Sequence, residues 1–183
     1  MAIINPVAHI SSLWLELIVP DETPIKCASK SECTIRAARV ECSSECGSTC
    51  ANQGISRGNF LPFHYLEVRE TILRGKGVFT KVFSPKGTLV IEYKGRQISQ
   101  ATRRQRGYNL TYVLQWDVCI VDRNYGGNES KYINHACEPN LKVKAWIVKG
   151  QQRLVLRANS DIPLEQELTT NYKRGRDCAT AAM

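Results

Sequence analysis

The chain has 183 residues, 43% hydrophobic and 23% charged, with 25 basic side chains against 17 acidic ones and a net charge of +8. That length holds one domain with a real core plus a small appended module, and the composition excludes a disordered chain. No apolar run approaches the roughly 20 residues of a membrane-spanning helix, so no membrane role is expected. The basic balance favours acidic or polyanionic partners, nucleosomes and nucleic acid among them. Two clusters, Arg103, Arg104 and Arg106, then Lys173, Arg174 and Arg176, permit DNA contact and equally describe solvated surface patches.

Residues 1–26 come first. Met1 to Pro20 is fairly apolar, but it has no basic leader and carries Glu16, so it reads as a packing segment in preference to a secretory signal. Five of the eight cysteines then fall between Cys27 and Cys50, spaced Cys27-x5-Cys33-x8-Cys42-x3-Cys46-x3-Cys50. The residues between them are small and polar and offer little core. Something else must hold such a segment, and thiolates on Zn²⁺ fit better than disulfides in a chain without a secretion signal. Nuclear or cytosolic residence follows.

From His64 the pattern becomes short β-type runs divided by turn residues. Tyr65–Arg69 alternates, Gly75-Lys76-Gly77 and Pro85-Lys86-Gly87 read as turns, and Thr88–Tyr93 is an apolar run ended at Gly95. Ser99–Arg106 has helix character. Thr111–Trp116 with Val118–Val121 predicts one hairpin, followed by an Asn124–Asn128 turn. Val143–Val148 with Arg153–Arg157, joined through Lys149–Gln152, predicts another. The expected fold is mostly β with few short helices, and the lack of a βαβ rhythm excludes a Rossmann-type cofactor domain.

Two stretches carry chemistry. Ile133-Asn134-His135-Ala136-Cys137-Glu138-Pro139-Asn140 sets an Asn-His pair beside Cys-x-Pro-Asn, and Glu167-Leu168-Thr169-Thr170-Asn171-Tyr172 follows about thirty residues later. An isolated Asn-His pair is a capped turn with a structural histidine; in this run it can offer fixed side-chain and backbone groups to a polar ligand. Gly75-x-Gly77 alone is an ordinary tight turn. A zinc hydrolase would need an open site with His or carboxylate ligands, and His9, His64 and His135 form no such pattern.

In order, Gly75-x-Gly77, Tyr93-x-Gly95, Asn134-His135 and the motif ending at Tyr172 resemble the SET domain, the fold of protein-lysine methyltransferases. The resemblance covers residues 27–178. It implies a β-clip-like fold with a knot-like active site at residues 64–173, a zinc-bound module at 27–63 and a short C-terminal tail at 174–183. It also implies S-adenosylmethionine as cofactor, held by Arg74, Gly75, Lys76, Asn134 and His135. Tyr112 stands where related domains contact the cofactor, and a core aromatic is nearly as good a reading. Tyr172 takes the catalytic position, and Tyr93 and Thr170 line the substrate channel.

Methyl transfer to an amine is a direct displacement, so the protein must align donor and acceptor and present lysine as a neutral amine. A tyrosine hydroxyl orients that amine without adding charge. The cysteine segment resembles the associated-with-SET or pre-SET module, which implies one zinc on Cys27, Cys42, Cys46 and Cys50, with Cys33 left over or replacing Cys27.

Several positions depart from the family pattern. Lys76 stands where an aromatic is common, Asn171 and Arg96 replace acids, and Thr170 replaces a Phe or Tyr, leaving room for higher methylation states. The chain stops after Cys178, so Cys137 lacks the partner set of a complete post-SET zinc site. The resemblance implies a nuclear histone methyltransferase acting on histone H3 tails in nucleosomes, with lysine 36 ahead of lysine 9. A SET-like chromatin-binding module without turnover is the alternative.

Overall fold

A computed structural model describes residues 34–116 and 119–172. The apolar opening, Cys27, Cys33, Cys178 and the cluster Lys173, Arg174 and Arg176 lie outside the described residues. The elements are α1 (Thr34–Ala37), β1 (Leu66–Thr71), β2 (Gly75–Thr80), β3 (Leu89–Glu92), β4 (Arg96–Gln97), α2 (Gln100–Arg103), β5 (Val113–Trp116), β6 (Cys119–Asp122), β7 (Asn134–His135), β8 (Leu141–Val148), β9 (Gln151–Ala158) and β10 (Glu167–Thr170). The protein is mostly β, as expected. One sheet runs β1-β2-β10-β8-β9-β3 with β7 also on β10, and a smaller sheet runs β4-β6-β5.

Local sequence explains most of these elements. β8 and β9 pair in continuous register from Leu141↔Ala158 to Val148↔Gln151, closed by Lys149-Gly150 with φ of 50° and 74°. Two consecutive positive φ values make the turn type that suits a right-twisted hairpin, and it is tighter than the four-residue connection expected. Gly75-Lys76-Gly77 is not a turn. It opens β2, because Thr71 pairs with Gly75 and the chain reverses at residues 72–74. Ile72 and Leu73 are 99% and 92% exposed at that tip. The helix over 99–106 shrinks to Gln100–Arg103, capped by the Ser99 hydroxyl, which accepts the Thr102 N–H at 3.1 Å. A polar segment with no face to bury sustains no more.

β9 is buried on both faces, which is why Leu154-Val155-Leu156 reads as an unbroken apolar run. Leu154 and Leu156 join the main core with Val78, Val90, Leu141 and Leu168. Val155 faces a second cluster with Ile55, Leu89, Trp146 and Val148. Each such side chain stabilises the fold by about 1.5–3 kcal/mol. The cysteine-bearing segment is stitched to the edge of this layer. Val40 bridges Ile147, the Glu41 N–H donates to the Ile147 carbonyl at 2.9 Å, and the buried Glu41 carboxylate accepts the Ser56 N–H at 2.9 Å.

The decisive topological feature is β10. It pairs in parallel with β7 through Thr169↔Asn134 and Thr170↔His135, and with β8 through Thr170↔Leu141. Thr170 therefore has His135 on one edge and Leu141 on the other. Parallel strands usually need connections of a dozen residues or more. Here residues 136–140 alone join β7 to β8, so this short segment must cross over β10. The arrangement is the knot-like crossing expected.

Candidate active site

The crossing opens onto a cavity of about 950 Å³. Arg74, Gly75, Lys76, Tyr93, Tyr112, Asn134 and Tyr172, read from separate parts of the sequence, all line it. His135 stands behind the wall, its Nδ1 accepting the Tyr172 N–H at 3.2 Å and its ring 5.4 Å from that of Tyr172. Thr170 is buried, with its hydroxyl 3.4 Å from the Leu141 carbonyl, and is not among the wall residues.

Glu167 ties the motifs together. Its carboxylate accepts from the Asn134 amide at 2.8 Å and pairs with Arg74 at 2.8 Å, while Arg74 also donates to the His135 carbonyl at 3.0 Å. Asn134 donates as well to the Lys76 carbonyl at 3.1 Å. Gly77 makes this approach possible, since a Cβ there would lie 2.7 Å from the Glu167 carboxylate and 2.8 Å from Thr71. The β2 hairpin, β7 and β10 are thus fastened at one corner of the cavity.

Three tyrosines and an arginine form the opposite wall. The Tyr172 hydroxyl donates to the Ile133 carbonyl at 2.6 Å. The Tyr93 hydroxyl is buried with no hydrogen-bond partner among the described residues. Burial pushes the Tyr93 phenol up; the Arg123 guanidinium offsets part of that and Tyr172 adds to it. Arg123 lies 4.1 Å from the Tyr93 ring centroid and 5.9 Å from that of Tyr112, and burial lowers its pKa from the usual arginine range. Lys131 and Lys76 lie 4.9 and 5.5 Å from the ring centroid of Tyr132.

Residues 75–173 match the SET domain family. The chain belongs to the SET domain family. A human histone-lysine N-methyltransferase, H3 lysine-36 specific, is 34% identical over 166 residues, which is 83% of this chain and 6% of that protein. The histone-lysine N-methyltransferase ash1 of Drosophila melanogaster is 35% identical over 150 residues, 76% of this chain and 7% of that protein. This chain therefore spans only a small part of these relatives' length. The crystal structure of an active polycomb repressive complex 2 in the basal state shares the fold, with a TM-score of 0.68 at 24% identity over 82% of this chain and 23% of that one.

Ahead of the SET domain, the sulfur atoms of Cys42, Cys46 and Cys50 lie within 4.8 Å of one another, and none of the three is in a disulfide. The buried Asn52 donates its backbone N–H to the Cys50 sulfur at 3.4 Å and its side-chain amide to the Cys42 sulfur at 3.3 Å. Donors aimed at sulfur suit thiolates, the form that binds zinc. The donor set fits three ligands of a tetrahedral site; Cys27, read as the fourth, lies outside the described residues.

Sequence reasoning passed over Glu70, Arg123, Lys131 and Tyr132 in the SET cavity wall, read Arg103 only as part of a basic surface cluster, and assigned no role to Glu167. Lys131 and Tyr132 immediately precede the Asn-His run and Glu167 opens the second motif, so proximity could have found them. For Arg123 there was no signal, because a charged residue following a strand is ordinarily taken as exposed.

Proposed function

We propose that this chain is an S-adenosylmethionine-dependent protein-lysine N-methyltransferase of chromatin, acting on histone H3, with lysine 36 favoured over lysine 9 as the target. The observation that carries the reading is the crossing of residues 136–140 over β10, which puts Tyr172, Asn134 and the Gly75 hairpin around one cavity. Its volume suits a drug-sized cofactor, and the buried Tyr93 hydroxyl, without a partner among the described residues, is the kind of group a bound ligand satisfies. Lysine 36 is favoured because the human relative's name carries that specificity.

The cofactor would supply an electrophilic methyl group on a sulfonium. Asn134, with the backbone of Arg74, Gly75 and Lys76, would hold it, and Tyr112 would complete that wall. His135 braces Tyr172 from behind. Tyr172 and Tyr93 would direct the amine lone pair along the transfer axis and exclude water from it, and alignment of this kind can supply much of the barrier lowering. In this reading Thr170, small and off the wall, leaves room for more than one methyl. Zinc on Cys42, Cys46, Cys50 and Cys27 would hold residues 27–63 as a brace on the catalytic unit at 64–173, and the basic surface would meet nucleosomal DNA in the nucleus.

The test is transfer of labelled methyl from S-adenosylmethionine to recombinant nucleosomes, beside a Tyr172→Phe variant. Label on histone H3 that falls at least 100-fold in the variant is expected, with the labelled lysine mapped by mass spectrometry. No label on any histone, together with no saturable cofactor binding, would replace the enzyme with a silent chromatin module.

A further inference from the structure

Arg123 follows β6 and is only 6% exposed, yet it lines the cavity. Its Nε donates to the Tyr112 carbonyl at 3.3 Å and its Nη1 to the Ser130 carbonyl at 2.6 Å. Among the described residues it pairs with no carboxylate. Asp122, the nearest in sequence, is engaged instead by the Tyr108 hydroxyl and by Asn124. A buried cation without a counter-ion is costly, and a core does not retain one for packing alone. What shares the space is the buried Tyr93 hydroxyl, without a hydrogen-bond partner among the described residues, against whose ring the guanidinium lies.

The surroundings reinforce the charge. Tyr93 after β3 and Tyr112 before β5 set their rings against the guanidinium, Tyr172 after β10 lines the same cavity, and none of the three brings a carboxylate. Lys131, in the turn before β7, adds a second cation 6.0 Å from the Tyr112 ring centroid. Around the rest of the wall stand Lys76, Arg103 and Arg74, the last paired with Glu167, and among the described residues Glu70 is the one acid in that wall.

We propose that Arg123 is a fixed cation in the wall of the acceptor channel that disfavours the ammonium form of the incoming amine and so holds it as the neutral nucleophile. The inference rests on the methyltransferase reading. The neutral nitrogen gives its lone pair to the new N–C bond, the C–S bond of the cofactor breaks with its electron pair going to sulfur, and the amine proton leaves to solvent. Arg123 touches none of the reacting atoms. It is a positioning residue, acting through the local field.

A nearby like charge lowers an amine's pKa by about one unit or more, and each unit changes the reactive fraction about tenfold. Removing the charge should therefore move the rate profile to higher pH. The full chain as wild type, Arg123→Met and Arg123→Lys would be compared by single-turnover methyl transfer to a histone H3 peptide from about pH 6 to pH 11, with calorimetric S-adenosylmethionine binding and thermal unfolding alongside. The expected result is a midpoint displaced upward by about one unit in Arg123→Met, with rates converging at high pH, unchanged cofactor affinity and a wild-type midpoint in Arg123→Lys.

An Arg123→Met profile with the wild-type midpoint overturns the proposal, whatever its amplitude. So does a tenfold loss of cofactor affinity, which would make Arg123 a carboxylate ligand. Should Arg123→Met not fold, the wild type decides, since a midpoint at lysine's ordinary value of about 10.4 leaves no depression to explain. Absence of transfer by the wild type at every pH would overturn the methyltransferase reading itself, whereas transfer with an unshifted profile sinks only the role of Arg123.

Discussion

Asn140 and Thr169 hold each other across the crossing: the Asn140 side-chain oxygen accepts the Thr169 N–H at 2.8 Å, and the Asn140 N–H reaches the Thr169 hydroxyl at 3.4 Å. The same amide donates to the Glu167 carbonyl at 2.8 Å. One side chain thus adds to the sparse backbone bonding between the crossing segment and β10, where the Ala136 N–H donates to the Thr170 carbonyl at 3.2 Å. It joins the Cys-x-Pro-Asn run to the Glu-Leu-Thr run, which sequence leaves 27 residues apart.

Asn140→Ala leaves a backbone N–H of Thr169 and a carbonyl of Glu167 without partners, at a cost of about 2 kcal/mol. In a domain of this size that lowers the melting temperature by about 4–8 °C. Methyl transfer should fall more steeply than cofactor binding, because Tyr172 follows β10 directly. Calorimetric unfolding with paired binding and turnover measurements checks it. Equal losses in both would mean that the clamp only supports the fold.

Much of this was legible because the relevant signals are local. The β8–β9 hairpin announces itself by β-branched and aromatic runs around Lys149-Gly150. The motifs announce themselves by residue types that no core requires. The crossing was expected only through resemblance, since its cause is a non-local pairing of Thr170 with two partners separated by the loop itself. Gly75 shows the opposite failure. The Gly-x-Gly spacing suggested a turn at residues 75–77, where the register of Thr71 with Gly75 places the reversal at residues 72–74. Arg123 was illegible because its burial depends on tyrosines from three other segments.

The sulfur triad yields a metal prediction with its own control. Asn52→Leu removes the amide N–H from the Cys42 sulfur and leaves every cysteine in place. Loss of such an outer partner should weaken metal affinity about 10–100-fold. Chelation of the wild type should raise amide exchange over residues 41–57 before it does in β8 and β9, which belong to the core. Protein purified with zinc that binds none, or that keeps its exchange pattern when stripped, would contradict the site.

Asp122 sets an acid limit on stability. Burial opposes its ionisation, but hydrogen bonds from Tyr108 and from the Asn124 backbone and amide outweigh it, with Arg96 adding a smaller attraction, so its pKa lies below the ordinary value. A depressed carboxylate contributes stability above its unfolded pKa of about 3.9 and loses it as pH falls through the lower folded value. At neutral pH, Asp122→Asn should melt about 2–4 °C below the wild type, the effect of roughly 1 kcal/mol in a domain this size. The gap should then close below about pH 4, where the wild type loses the same term. The carbonyl of Asp122 adds a reason for the sensitivity, since Gly95 passes so close that a Cβ would sit 2.6 Å from it. Any loosening of Asp122 therefore reaches the chain just beyond Tyr93. Melting curves of both proteins from about pH 3 to pH 7 decide the matter, and a gap that stays constant across that range would show that Asp122 is not the group being protonated.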